Sequence, residues 1–313
     1  MSLSSLDHAL PKGHRLHTYL IEKSIGGGGF SLVYLAIDTE RNRKVVIKEF
    51  LPLDQVRRLD DASIEFISQE SQNTDPAAAG IKRFFNEAAA LAKVSHPNIV
   101  KVRDVFRANN TVYMVMDYHK GHDLRWYIKR YSGHLSEKFI VTVFPHLLEG
   151  LRELHENSLL HLDIKPANIH IRPGGKPLLL DFGAVREAMT HRIHGPHTLT
   201  MGYAPTEQHK SGHVGPWTDM YAIGASMWAC MSGKPPPISL DREKKDTLKP
   251  AIKSFAHNYS RQLLEAVDWC LQMEPAQRPQ SVYDLLDFMN KEWIENERPS
   301  LWRRFWHGEG GKN

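Results

Sequence analysis

The hydrophobic period of this 313-residue chain changes near Tyr118, and that change constrains the fold more than any other feature. Before it, β-branched and apolar residues come in short runs broken by turn residues. Tyr19 to Asp38 reads as strand, glycine turn, strand, and Lys44 to Phe50 as one more strand. Ile99 to Phe106 and Thr111 to Met116 read as a further pair joined by Asn109 and Asn110. A polar stretch from about Asp60 to Gly80 is expected to be a surface loop with some local structure, and Phe84, Phe85, Ala88, Leu91 and Ala92 then recur at helical spacing. Beyond Tyr118 helices dominate: Ser136 to about Glu156, with a kink expected at Pro145, then Asp219 to Met231, Ser260 to Met273 and Ser281 to Glu297. Strands gathered in one half and helices in the other predict an α+β protein of two lobes with a cleft between them.

A hydrophobic content of 41% is enough to fill such a core. Cys230 and Cys270 lie far apart inside apolar helical patterns, so neither a disulfide nor a zinc framework is indicated and a reducing cytoplasm fits. A formal charge of +4 spread along the chain does not argue for nucleic acid. No window approaches the roughly 18 consecutive apolar residues of a membrane span, and the polar start MSLSSLDHALPKGHR lacks the core of a signal peptide.

The richest chemistry lies between the first large-lobe helix and the next. His161 to Ile171, HLDIKPANIHI, places Asp163, Lys165 and Asn168 on one short loop, and Asp181-Phe182-Gly183 follows a run that reads as a hairpin. Asp163 can accept a hydroxyl proton, Lys165 can balance negative charge, and Asn168 and Asp181 can hold a cation. Either motif alone would be weak; their order and separation together suit phosphoryl transfer. Upstream, Ile25, Gly26, Gly27, Gly28, Gly29, Phe30, Ser31 and Val33 occupy the first hairpin, where glycines let backbone approach phosphate oxygens. A glycine cluster by itself is usually only a turn, and an isolated Lys48 or Glu87 only a solvated charge.

These motifs resemble those of protein kinases, and VVIKEFLP, the polar insert after it, and GYAPTEQ look like a bacterial group of serine/threonine kinases. The resemblance spans about Leu16 to Asn290. It implies a bilobal kinase-like fold, with a small antiparallel β lobe carrying one long helix and a larger, mostly helical lobe. The expected divisions are an extension over 1–15, a small lobe over 16–117, a large lobe over 118–290 and a tail over 291–313. It implies ATP, with Mg2+ or Mn2+, and a protein substrate offering a serine or threonine hydroxyl. Ile25 to Phe30 would cover the phosphates, Val33 and Val46 would roof the adenine with His170 below, and Lys48 would contact phosphate with Glu87 as its ion-pair partner. Asp117 to His119 would hinge the lobes and present backbone to adenine, and Asp123 would stand near ribose. Asp163 would be the base, Lys165 would stabilise the transferred group, and Asn168 and Asp181 would hold the metal.

The Lys165 to Asn168 run and Thr200 match the serine/threonine class; Glu207 and Arg278 would form a buried ion pair. Departures are Ser31 at the third glycine, Val46 for alanine, His170 for an aliphatic residue, Thr206 for proline, and Leu162 for the arginine that many kinases carry before the catalytic Asp. The alternative is a pseudokinase scaffold that binds nucleotide or a partner without turnover. Two features stand outside the resemblance. His191, His194, His197, His209 and His213 crowd one segment, where zinc or pH sensing competes with plain solvation. In the tail, Trp302, Phe305 and Trp306 interleave with Arg303 and Arg304, a pattern for a membrane surface, an acidic partner, or packing on the large lobe.

Overall fold

The structure is a computed structural model that describes residues 8–67, 76–187, 199–210 and 212–296. The small lobe is a six-stranded antiparallel sheet in the order β1-β2-β3-β4-β8-β7. Its strands are β1 (Arg15–Leu16), β2 (Tyr19–Gly28), β3 (Ser31–Asp38), β4 (Arg43–Phe50), β7 (Val102–Ala108) and β8 (Thr111–Asp117). Between β4 and β7 lie a small hairpin of β5 (Val56–Arg58) and β6 (Ile64–Phe66), and helix α1 (Pro76–Ala92). Asn109 and Asn110 close the β7–β8 hairpin with φ of 51° and 58°, the left-handed pair that a two-residue turn between twisted strands requires.

Both faces of this sheet are packed. Toward the large lobe, Phe50, Val112 and Met114 meet Phe84, Ala88 and Leu91 of α1. On the opposite, outer face, Leu32, Tyr34, Val45, Ile47, Tyr113 and Val115 are all 0% exposed. They are covered by Leu10 and Leu16 of the N-terminal segment and by Val56 and Ile64 of the hairpin.

The large lobe begins with β9 (His122–Asp123), α2 (Leu124–Arg130) and α3 (Glu137–Glu156). Ser136 caps α3 by accepting from the Phe139 amide, and the helix runs on through Pro145. The short β10 (Leu159–Leu160) leads to β11 (Ile169–Arg172) and β12 (Lys176–Leu179), which form a three-stranded sheet with β9. β13 (Arg186–Glu187) pairs with β10. The longer helices α4 (Pro216–Ser232), α5 (Arg261–Cys270) and α6 (Val282–Asn296), with short helical segments at Thr206–His209, Ser239–Lys244 and Ala251–Ser254, build the rest. Cys230 and Cys270 are buried free thiols. Among the described residues no helix is long and apolar enough to cross a membrane.

Two expectations need correction. The polar stretch from about Asp60 carries the local structure of β6 but does not run as a loop to Gly80, because α1 already starts at Pro76, a residue suited to a first helical turn. Gly80 lies within that helix, where the Phe50 ring occupies the space a side chain would need. Ile99 and Val100 do not join the small-lobe sheet, since the Val100 amide donates to Leu179 and the Leu179 amide to Asn98, tying this segment to β12. Thr190, His191, His194, His197 and Thr198, and the tail with Trp302, Phe305 and Trp306, lie outside the described residues.

Candidate active site

The cleft is lined from above by the inner face of the sheet. Side chains alternate along a strand, so Val33, Val46, Lys48 and Met116 look into the cleft and stay partly exposed, while their neighbours fill the outer core. Register places Val33 opposite Lys48 and Val46 opposite Met116. The β2–β3 turn, Gly29–Phe30, overhangs this row; Ile25 and Phe30 are among the exposed large hydrophobics. The glycines divide by cause. A side chain at Gly27 would meet Leu32 at 2.7 Å, whereas at Gly28 or Gly29 it would meet nothing within 4 Å. Neither of the latter two has a left-handed φ. Internal packing therefore gives no reason for glycine at 28 and 29; close approach of a ligand does.

Lys48 is bonded on two sides. Its Nζ lies 2.7 Å from Glu87 Oε1 on α1 and 2.9 Å from Asp181 Oδ1. Burial alone would lower the Lys48 pKa, but the two carboxylates outweigh it and raise it. The Lys48 charge in turn holds Asp181 down to about 2, against the opposing effect of burial. Burial pushes Glu87 up while Lys48 pulls it down; with the ammonium at 2.7 Å the geometry is that of an ion pair. Glu87 Oε1 also accepts from the Phe182 amide at 3.2 Å, so one carboxylate fixes both Lys48 and the Asp181–Gly183 turn.

Below the cleft, Asp163 gathers the remaining groups. Its Oδ1 accepts from the Thr200 hydroxyl at 3.1 Å and from Lys165 Nζ at 3.0 Å, and Lys165 reaches Thr200 at 2.9 Å. The Asn168 amide nitrogen donates to the Asp163 carbonyl and to its Oδ2, at 2.9 and 3.0 Å. The loop is suspended from Asp219 at the start of α4, whose carboxylate accepts from the His161 and Leu162 amides at 2.9 and 2.8 Å. Burial would raise Asp219; the His155 ring at 2.9 Å, with His161 and its amide, brings it below its ordinary value. His161 is fully buried, which lowers its pKa, and the neutral ring takes the Asp163 amide on Nδ1 while Nε2 faces the Leu180 carbonyl at 3.3 Å.

The other expected positions are placed as follows. Asp117 pairs with Arg103 at 2.6 Å, so its side chain ties the end of β8 to β7. His119 and His170 are half-buried, with His170 packed under Gly121, beside the segment that joins the lobes. Asp123 caps α2 by accepting from the Trp126 amide and pairs with Arg125 at 2.6 Å, which leaves its carboxylate already engaged. His209 and His213 form no metal-binding group among the described residues.

Sequence reasoning overlooked His161 and Asp219 as supports of the loop. For His161 the available signal was a polar side chain between two apolar neighbours, Leu160 and Leu162. The setting of Leu162 is not visible in the sequence. This residue has φ +60° and packs with Leu160 and Val214 against Ala184, while Gln208 donates to its carbonyl at 2.8 Å.

The protein kinase domain family model matches residues 19–294. The serine/threonine-protein kinase PrkC of Bacillus subtilis (strain 168) is 32% identical over 221 residues, 70% of this chain and 31% of that protein. The serine/threonine-protein kinase PknA of Nostoc sp. is 30% identical over 281 residues, 86% of this chain and 46% of that one. The chain thus spans about a third to a half of the length of these relatives. The solved apo form of PpkA-294 superposes with a TM-score of 0.80 at 32% identity, covering 90% of this chain and 99% of that one.

Proposed function

The chain belongs to the protein kinase domain family, and on that premise we propose that it transfers the γ-phosphoryl group of ATP to serine or threonine hydroxyls of protein substrates. The observation that carries this reading is the Asp163 constellation, in which a hydroxyl already sits 3.1 Å from the carboxylate with Lys165 in reach of both. A substrate hydroxyl approaching the same carboxylate is oriented by it and gives up its proton as the new bond forms. Lys165 balances charge on the group in transit, and Lys48, held by Glu87, anchors the phosphates. Asn168 turns its nitrogen to Asp163, which leaves its oxygen, together with the Asp181 carboxylate, to hold a cation. Two oxygen donors suit Mg2+ or Mn2+, which complete their shell with phosphate oxygens and water. Such a cation, when bound, supplies neutralising charge between the phosphates. The scaffold alternative would have to explain why every group needed for transfer is retained and mutually bonded. Labelled ATP, Mg2+ and a generic protein acceptor test the reading; absence of transfer by the folded protein would defeat it.

Lys48→Met is expected to lower transfer by about 10²- to 10³-fold. The same change leaves Glu87 and Asp181 without their shared cation, so ATP binding, read by calorimetry, weakens as well. Unaltered turnover would remove Lys48 from the mechanism.

Activity is also expected not to depend on phosphorylation of Thr190 or Thr198. In kinases with an Arg before the catalytic Asp, that cation waits for a phosphate. Here Leu162 fills the place with apolar contacts to Leu160 and Val214. The Thr190→Ala, Thr198→Ala double variant should keep kcat within about threefold, a modest allowance for a nearby arginine such as Arg186. A loss on the scale of the Lys48 variant would show that a phosphate is needed after all.

A further inference from the structure

Glu49 follows Lys48 on β4 and, by strand alternation, points into the outer core, where it is 0% exposed. A buried carboxylate is costly unless it is paired and fully hydrogen-bonded. Glu49 meets that demand: it accepts from the Tyr34 and Tyr113 hydroxyls at 2.6 and 2.7 Å, and from Arg58 at 2.7 Å. Arg58 lies on β5 and also donates to the carbonyls of His8 at 2.6 Å and Ala62 at 2.8 Å. One buried ion pair therefore joins the Lys48 strand, the hairpin and the N-terminal segment.

The chain between Glu49 and Arg58 passes under the glycine-rich turn. There the Leu51 amide donates to the Phe30 carbonyl at 2.9 Å and the Leu53 amide to the Gly29 carbonyl at 3.0 Å. These are the two residues of the turn itself. Gly29 in the turn, with Gly26 to Gly28 at the end of β2 leading into it, gives this hairpin tip a large conformational entropy, and the two bonds restrict it from behind. We propose that Glu49 and Arg58 are positioning residues that, through residues 51–58, hold the Gly29–Phe30 turn in place over the nucleotide phosphates. The inference rests on the ATP reading above and adds a device to it, because neither residue faces the cleft.

The test compares ATP with adenosine, which lacks the phosphates the turn would cover. Glu49→Gln/Arg58→Met removes both charges together, so that neither is stranded. Leu53→Pro deletes the amide that holds Gly29, and Leu53→Ala is its control, losing side chain but keeping the N–H. By calorimetry with Mg2+, the double variant and Leu53→Pro are expected to bind ATP about tenfold more weakly, with adenosine affinity unchanged. KM for ATP should rise while KM for the protein acceptor stays level. Should the double variant fail to fold, the Leu53 pair decides. A folded double variant with an unaltered ATP-to-adenosine ratio overturns the proposal, as does a Leu53→Pro protein indistinguishable from Leu53→Ala; a lower melting temperature alone would mark a purely structural pair. Wild-type protein that bound no ATP would instead defeat the kinase reading, so the two failures are distinct.

Discussion

Asp163→Asn is expected to lower kcat by about 10³-fold or more while the protein stays folded and keeps its affinity for ATP within about threefold. The carboxylate is the acceptor shared by the Thr200 hydroxyl and Lys165, and an amide placed there can neither take a proton nor pair with an ammonium. One amide atom becomes a donor facing donors. The backbone is unaffected, because the loop hangs from Asp219 and His161 through main-chain groups and Asn168 still bonds the carbonyl of residue 163. Rates from steady-state kinetics, set beside nucleotide titration and circular dichroism, separate these effects. Full retention of activity would show that another group is the base.

The largest effect on stability is expected from Arg278→Met. The Arg278 side chain is fully buried and pairs with Glu207 at 2.6 Å, with Tyr221 stacked 4.9 Å from its guanidinium. It also donates to the carbonyls of Gln272 and Met273 at 2.8 Å each. Methionine keeps much of the volume but strands the Glu207 carboxylate and two carbonyls, at a cost of about 3 to 5 kcal/mol. Urea denaturation measures this, and Glu207→Leu in the same background should recover part of the loss by removing the orphaned charge. A loss below about 1 kcal/mol would place the pair among exposed salt bridges. The damage should extend to catalysis, since Gln208, next to Glu207, holds the Leu162 carbonyl.

What the sequence disclosed depended on how locally each feature is encoded. Asp163, Lys165 and Asn168 lie within one loop, and Lys48 and Asp181 carry their own short motifs, so their meeting in the cleft was legible. The longer helices of the large lobe were legible to within a few residues, Ser136 and Ser260 marking the starts of two of them, whereas α2 and the other short helices were not foreseen. The outer core of the small lobe was not. A run such as Val45-Val46-Ile47 fits a strand with one buried face as well as one with two, and the covering elements come from segments that looked polar. Ala62 and Ile64 sit in the stretch expected to be a loop, yet both are buried. Asp123 misled for a related reason: an acid beside a cleft and an acid at a helix start have the same local sequence, and Trp126 and Arg125 claim this one.

The continuous core beneath the sheet has a thermodynamic consequence. Phe50, Val112 and Met114 of the small lobe belong to the same cluster as Leu148 and Leu151 of α3 and Met227 of α4, by way of Leu91, Val100, Leu179 and Phe182. The cleft divides the molecule in shape but not in cooperativity. A cut near Tyr118 would leave the small fragment with its outer core intact and the underside of α1 bare to water. Neither half is therefore an autonomous folding unit in the sense that separate domains are. Any motion that opens the cleft must pivot about that shared apolar column rather than break it.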